Sequence, residues 1–197
     1  MKIKYFLPPS ESKDALNEGI RFLSLNANSL LNEKISEIVT SPEQFFPHES
    51  FFIKLEDIAS GKGLITAKSS GWQYLIRVSE NEVFSLELHS DQEKKLFTFS
   101  GINFSKFNKS TIDFLEAKEA SNEEANGNYR VATIVIPVLY VYAIWLRDTD
   151  TNKDIIIPLA PTHPKLRSGD PYLPDAFFKI LEPEAKNILN LEETMLE

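Results

Sequence analysis

The chain has 197 residues, contains no cysteine, and carries a formal net charge of −8 at pH 7. Hydrophobic residues make up 42% of it and charged residues 25%, a balance that excludes a disordered or low-complexity chain and is typical of one compact domain. Without cysteine, the chain has no disulfide, no cysteine-ligated metal centre and no cysteine nucleophile.

Residues 1–47 are predicted to be mainly helical. Pro8-Pro9 forms an extended lead-in, because a helix does not continue through both positions. After a serine cap at Ser10 or Ser12, apolar residues recur at helical spacing in two stretches, and the second helix is expected to end at about Val39. The two stripes consist of Leu16, Ile20 and Leu23, and of Leu31, Ile35 and Ile38.

Residues 48–160 are predicted to form a sheet with one inserted helix. Apolar and polar residues alternate in several short runs, which is the pattern of half-buried strands. Two of these runs are separated by a polar tetrapeptide and predict a hairpin. The predicted elements are strands at Phe51–Leu55, Trp72–Val78, Val83–His89 and Leu96–Phe99, and a helix at Lys109–Ala120.

The most apolar part of the chain begins at Tyr129. The run up to Arg147 is too long for one half-exposed strand, and Pro137 inside it marks a bulge, a bend or an edge. Val138–Leu146 is apolar at every position, which predicts a central strand covered on both faces. Asp154–Leu159 is expected to be its partner strand.

Residues 161–197 are predicted to hold a proline-rich loop and two C-terminal helices. The prolines between 158 and 174 favour a loop or polyproline-like chain. The helices are expected at Asp175–Leu181 and at Pro183–Met195, each with a proline near its start. The succession of elements predicts a single α+β domain over residues 1–197. Its mainly antiparallel sheet of about five to six strands carries the N-terminal and C-terminal helices.

Charge and hydropathy indicate a cytoplasmic protein. No basic block is present to neutralise phosphates, so a nucleic acid partner is not expected. The longest apolar run, Val131–Leu146, contains Pro137 and is short for a bilayer-spanning helix, so no membrane association is expected. The N-terminus lacks the apolar stretch of a secretory signal.

One polar cluster has the spacing of a calcium loop. Asp148, Asp150, Asn152 and Asp154 supply side-chain oxygens at alternate positions, and calcium prefers several oxygen ligands from one turn. Lys153 stands where such a loop needs glycine, so the alternative is a solvated hairpin turn that uses Asp and Asn for their turn geometry. No cofactor is predicted apart from this calcium.

Glu87 and His89 are the candidate catalytic pair. They lie two residues apart on one predicted strand and therefore on the same face, where a carboxylate and an imidazole are able to share a proton. Trp72 and Tyr140 are the candidate ligand-binding residues, since aromatic side chains with polar tips often line pockets. The alternative for each residue is an ordinary strand end or core position.

The predicted function is a non-catalytic interaction or regulatory protein that binds another protein or associates with itself. It rests on the lack of a phosphate loop, a nucleophile elbow or a convincing acid–base pair. The first alternative is a small-ligand binder or enzyme with a site on the sheet face near Glu87 and His89. The second is a calcium-binding loop at residues 148–154.

Overall fold

A single twisted sheet runs through the protein and carries helices on both faces. The computed structural model describes residues 2–26, 37–38, 42–91, 93, 95–120, 128–151 and 153–196. The strands are β1 (Lys2–Lys4), β2 (His48–Phe52), β3 (Lys68–Arg77), β4 (Val83–Asp91), β5 (Leu96–Asn103), β6 (Asn128–Ile136), β7 (Val141–Asp148) and β8 (Ile155–Pro158). The helices are α1 (Lys13–Asn26), α2 (Leu55–Ala59), α3 (Lys106–Ala120) and α4 (Pro174–Leu196), with short 3-10 turns between elements.

The sheet order is β5-β4-β3-β2-β6-β7-β8, and β1 pairs with the start of β6. Neighbours are antiparallel except for β2 with β6 and β1 with β6, which are parallel. The α+β class and the mainly antiparallel sheet are confirmed. The expected five to six strands are too few, because the short β1 has no periodic signal and the apolar run around Pro137 holds two strands, β6 and β7.

The front face of the sheet, as we call the side that carries α1, α2 and α4, has two apolar clusters. Alternate residues of each strand point to this side, so a continuous layer of side chains meets the helices. One cluster packs α1 on β3 and β4 and includes Leu23, Trp72, Tyr74 and Leu86. The other packs α2 and α4 on β2, β6 and β7 and includes Ile58, Ile134, Trp145 and Leu181.

The back face carries α3. Ile112 and Leu115 of this helix pack against the other set of alternating residues, such as Leu75, Val131 and Ile144. The helix begins at Lys106, three residues before the predicted start, and it covers only part of the face. The sheet surface beside its first turn is therefore available to form a cleft.

The C-terminal helix is continuous, which corrects the prediction of two helices. Pro183 lies inside α4 at an exposed position. The proline lacks a backbone N–H donor, but it does not end the helix. Leu181 and Ala185 on either side of it are fully buried against the sheet, so tertiary packing holds the helix together across the proline.

Other predicted elements differ at their ends. The strand predicted at Phe51–Leu55 corresponds to β2, which ends at Phe52, and Leu55 begins α2. The strand predicted from Val138 begins at Val141, after a 3-10 turn at Pro137–Leu139, and it is buried on both faces between β6 and β8. Most of the predicted second N-terminal helix, which includes Leu31 and Ile35, lies outside the described residues.

The proline-rich segment after β8 has a loop conformation, as expected. Backbone hydrogen bonds between Ile156 and Tyr172 in both directions attach it to the outer side of β8. In the part of the chain that the structure describes, none of the helices combines the length and the apolarity needed to cross a bilayer.

Candidate functional site

A cleft of about 600 Å³ opens on the back face of the sheet beside the first turn of α3. This volume falls within the roughly 300–1,000 Å³ of typical small-molecule sites. Apolar and aromatic side chains form most of its walls, and polar groups from β3, β4, β5 and α3 converge on one end. The lining residues are Phe52, Ser70, Gln73, Glu87, Asn103, Ser105, Phe107, Asn108, Val135, Pro137, Tyr140, Val141 and Tyr142.

Glu87 is the centre of the polar end. Its carboxylate oxygen Oε1 accepts hydrogen bonds from Gln73 Nε2 at 3.2 Å, Ser85 Oγ at 3.0 Å and Asn103 Nδ2 at 3.0 Å. Asn108 on α3 donates to the carbonyl oxygen of Asn103 at 2.7 Å and so attaches the helix to the same network. These bonds hold the half-buried carboxylate in one orientation.

Gln73 extends the network across the sheet to His48 and Tyr142. His48, Gln73 and Glu87 are direct cross-strand neighbours on β2, β3 and β4. Gln73 Oε1 accepts a hydrogen bond from the Tyr142 hydroxyl at 3.1 Å and lies 3.2 Å from His48 Nε2. Burial, with a smaller effect of the Glu87 charge, raises the pKa of Tyr142 to about 12.

Two β-bulges border this row of polar residues. The register shifts at Ser70 of β3 and at Ser100 of β5, and each bulged serine precedes a glycine with positive φ. Gly71 is required by space as well, because a Cβ there would lie 1.8 Å from the carbonyl oxygen of Leu88. Bulges re-aim side chains and are frequent near functional sites.

Tyr140 forms the mouth of the cleft. Its φ is +53°, an unfavourable conformation for a bulky residue, and its side chain is 80% exposed. Phe107 and Tyr142 stack deeper in the wall, with ring centres 4.8 Å apart and planes at 6°. The sequence predicts Tyr140 within the strand, but the structure places it at the end of the turn that begins at Pro137.

The structure places Glu87 and His89 in one small depression of about 160 Å³, which shares Ser70, Gln73 and Glu87 with the cleft. His89 is exposed, and its Nδ1 lies 3.1 Å from the carbonyl oxygen of Ser70. The hydrogen bonds described for Glu87 go to Gln73, Ser85 and Asn103 rather than to His89. The shared proton predicted for the pair stays a prediction.

Trp72 borders the same depression, but its ring packs in the front-face core. It is 5% exposed, and the guanidinium carbon of Arg130 lies 5.6 Å from the ring centre. Trp72 and Tyr140, the two predicted ligand-binding residues, therefore border different cavities that meet at Glu87.

The carboxylates of the predicted calcium loop accept hydrogen bonds from the protein. Asp148 Oδ1 accepts from the N–H groups of Asp150 at 2.8 Å and Thr151 at 3.0 Å. Asp154 accepts from the Asp148 N–H and from the Trp145 indole, each by a different oxygen. Asn152 lies outside the described residues. Within the described ranges no three acidic or histidine side chains form a group suited to a metal ion, and calcium binding here stays a prediction.

Of the residues at the cleft, the sequence pointed to Glu87 and Tyr140 but not to the polar partners of Glu87. Gln73 and Ser85 each stand between two apolar residues of their strands, and such polar interruptions were the available signal. His48, Asn103 and Asn108 join the site through strand register and helix docking, which have no local pattern in the sequence.

Comparison of the chain with protein-family models, with curated proteins and with solved structures gives no match. The geometry of the cleft is therefore the basis for its function.

Proposed function

We propose that the protein binds a small organic molecule in the back-face cleft. The observation that carries the proposal is the convergence of Glu87, Gln73, Asn103 and Tyr142 on one end of a cleft of about 600 Å³ with aromatic walls. An apolar pocket with a few oriented polar groups is the usual form of a small-molecule site.

The proposal is binding rather than turnover. The groups around the Glu87 carboxylate are amides and hydroxyls, which orient a ligand but do not act as acids or bases near neutral pH. The Tyr142 hydroxyl, with a pKa of about 12, is a donor in the network and stays protonated at pH 7.

The test is a screen of small aromatic and aliphatic compounds by thermal shift, repeated on a variant whose cleft is filled. Val135→Phe adds bulk to a half-buried wall residue, and Val138→Phe makes the same change at an exposed position of the neighbouring turn. We expect compounds that raise the melting temperature of the parent and of Val138→Phe but not of Val135→Phe. A ligand at 100 times its dissociation constant adds about 2.7 kcal/mol to stability, which is easily measured.

Two results would overturn the proposal. One is a diverse screen without any stabilising compound. The other is a set of compounds that stabilise Val135→Phe as much as the parent, which would place their binding elsewhere. The protein partner and the cytoplasmic location predicted from the sequence stay predictions beside this one.

A further inference from the structure

We propose that the ligand of the cleft is an organic cation, a molecule that carries an ammonium or amidinium group on an apolar or aromatic body. The inference rests on the function proposed above, because it names the class of ligand for the same cleft. Four features of the cleft lead to it.

The first feature is the charge of the cleft. Of the described residues that line it, Glu87 is the only charged one. Its donors, Gln73, Ser85 and Asn103, are neutral, so they orient the carboxylate without cancelling its charge. A half-buried carboxylate with no cationic partner in the cleft favours a ligand that brings the positive charge.

The second feature is the distribution of hydrogen bonds on Glu87. All three donors meet on Oε1, and Oε2 receives no hydrogen bond from the described part of the chain. An ionised carboxylate accepts about four hydrogen bonds over its two oxygens. Oε2 therefore retains its capacity for N–H donors of a ligand, and a charged donor gives a shorter and stronger bond than a neutral one.

The third feature is the position of α3. The first turn of this helix contributes Phe107 and Asn108 to the cleft wall. Asn108 donates to the carbonyl oxygen of Asn103 at 2.7 Å, and the Asn103 side chain donates to Glu87 Oε1 at 3.0 Å. The helix therefore helps to hold the Glu87 carboxylate in place at the end of the cleft.

The fourth feature is the aromatic wall. The cleft contains the side chains of Phe52, Phe107, Tyr140 and Tyr142, and the faces of such rings attract cations. Tyr140 lies at the mouth with its side chain 80% exposed, so its ring is accessible to a ligand. In the part of the chain that the structure describes, no lysine or arginine lines the cleft to hold an anion. The net charge of −8 over the whole chain also attracts cations from solution.

The experiment compares three probes of similar shape at pH 7: benzylamine, benzyl alcohol and benzoate. Dissociation constants are measured by protein-observed NMR titration on the parent, on Glu87→Gln and on Glu80→Gln. The last variant removes the same charge from the exposed β3–β4 turn and is the matched control. We expect benzylamine to bind at least about tenfold more tightly than the other two probes, and Glu87→Gln alone to remove about that factor.

A second pair of variants tests the aromatic contribution at Tyr140, whose side chain is exposed. Tyr140→Leu keeps an apolar side chain but loses the ring, whereas Tyr140→Phe keeps the ring. We expect benzylamine affinity to fall about threefold in the leucine variant and to be unchanged in the phenylalanine variant. This comparison stays informative even if Glu87→Gln folds poorly.

The outcomes separate this inference from the proposed function. Equal binding of the three probes would overturn the inference that the ligand is a cation, and so would benzylamine binding that neither Glu87→Gln nor Tyr140→Leu weakens. Either result leaves the cleft as a ligand site. The inference is also overturned if none of the three probes binds. Failure of the probes together with a screen that yields no compound sensitive to Val135→Phe overturns both proposals.

Discussion

His48 is a buried base at the far end of the polar row from Glu87. Its ring is 0% exposed, and its Nδ1–H donates to the carbonyl oxygen of Phe46 at 2.8 Å. Burial lowers the pKa of His48, although the contacts with Phe46 and Gln73 favour the charged ring. The imidazole is therefore neutral at pH 7.

This burial predicts a pH dependence of stability. The unfolded chain protonates His48 below about pH 6.5 while the folded chain resists it, so the free energy of unfolding falls as the pH drops below that value. We expect urea unfolding between pH 7.5 and pH 5 to show this loss in the parent. The His48→Gln variant is expected to be less stable at pH 7. The part of the pH dependence of its unfolding free energy that comes from His48 is expected to be absent.

The exposed histidine provides the control. His89→Gln changes a side chain on the surface of β4, so its unfolding curves are expected to keep the slope of the parent. A parent whose stability is constant from pH 7.5 to pH 5 would contradict the role given to His48, as would a His48→Gln variant with the full slope.

At the scale of elements, the carboxylate of Asp148 stabilises the β7–β8 turn. Asp148 accepts hydrogen bonds from the Thr151 hydroxyl and from the N–H groups of Asp150 and Thr151. The hydroxyl of Thr151 first, and then these backbone donors, lower the pKa of Asp148. The charged form therefore stabilises the turn above the unfolded-state pKa, and this contribution is lost as the pH falls below about 4.

Replacement of Asp148 by Asn tests this account. Asp148→Asn keeps acceptors for the backbone but removes the charge, so we expect a lower free energy of unfolding at pH 7 and a difference from the parent that narrows towards pH 3. Asp170→Asn, in an exposed loop, removes the same charge and is expected to match the parent at both pH values. A constant difference across this range would mean that the charge of Asp148 plays no part.

Elements with a strong local pattern were predictable, and pairings between distant segments were not. The alternation of apolar and polar residues predicted the β3–β4 hairpin. A run of residues that is apolar at every position predicted β7, which is buried on both faces. The parallel contact of β2 with β6 joins segments far apart in the chain and has no local signature. Glu87 became a candidate through its spacing to His89 on one strand, whereas its partners Gln73 and Asn103 depend on strand register and had no local signal.

At the scale of the whole molecule, the two tryptophans report on the two halves of the front face. Trp72 belongs to the cluster under α1, and Trp145 belongs to the cluster under α4. Both clusters rest on one hydrogen-bonded sheet, with β2 and β6 joining the halves. The loss of either half exposes the edge of the other, so we expect the halves to unfold together.

Single-tryptophan variants measure this cooperativity. In Trp72→Phe the fluorescence comes from Trp145, and in Trp145→Phe it comes from Trp72. Within each variant, the denaturation midpoint by fluorescence is expected to coincide with the midpoint by far-ultraviolet circular dichroism. If the fluorescence midpoint lies above the circular dichroism midpoint in one variant and below it in the other, the two halves unfold independently.

The central place of β2 has a consequence for synthesis in the cell. Its β3 partner follows it closely, but β6, which covers its other side, is made only after β3, β4, β5 and α3. Until residues 128–136 leave the ribosome, one edge of β2 is open, and open strand edges pair with other chains. A nascent chain that stalls before residue 128 keeps this edge exposed, so the yield of folded protein depends on uninterrupted translation or on a chaperone that covers β2 until β6 arrives.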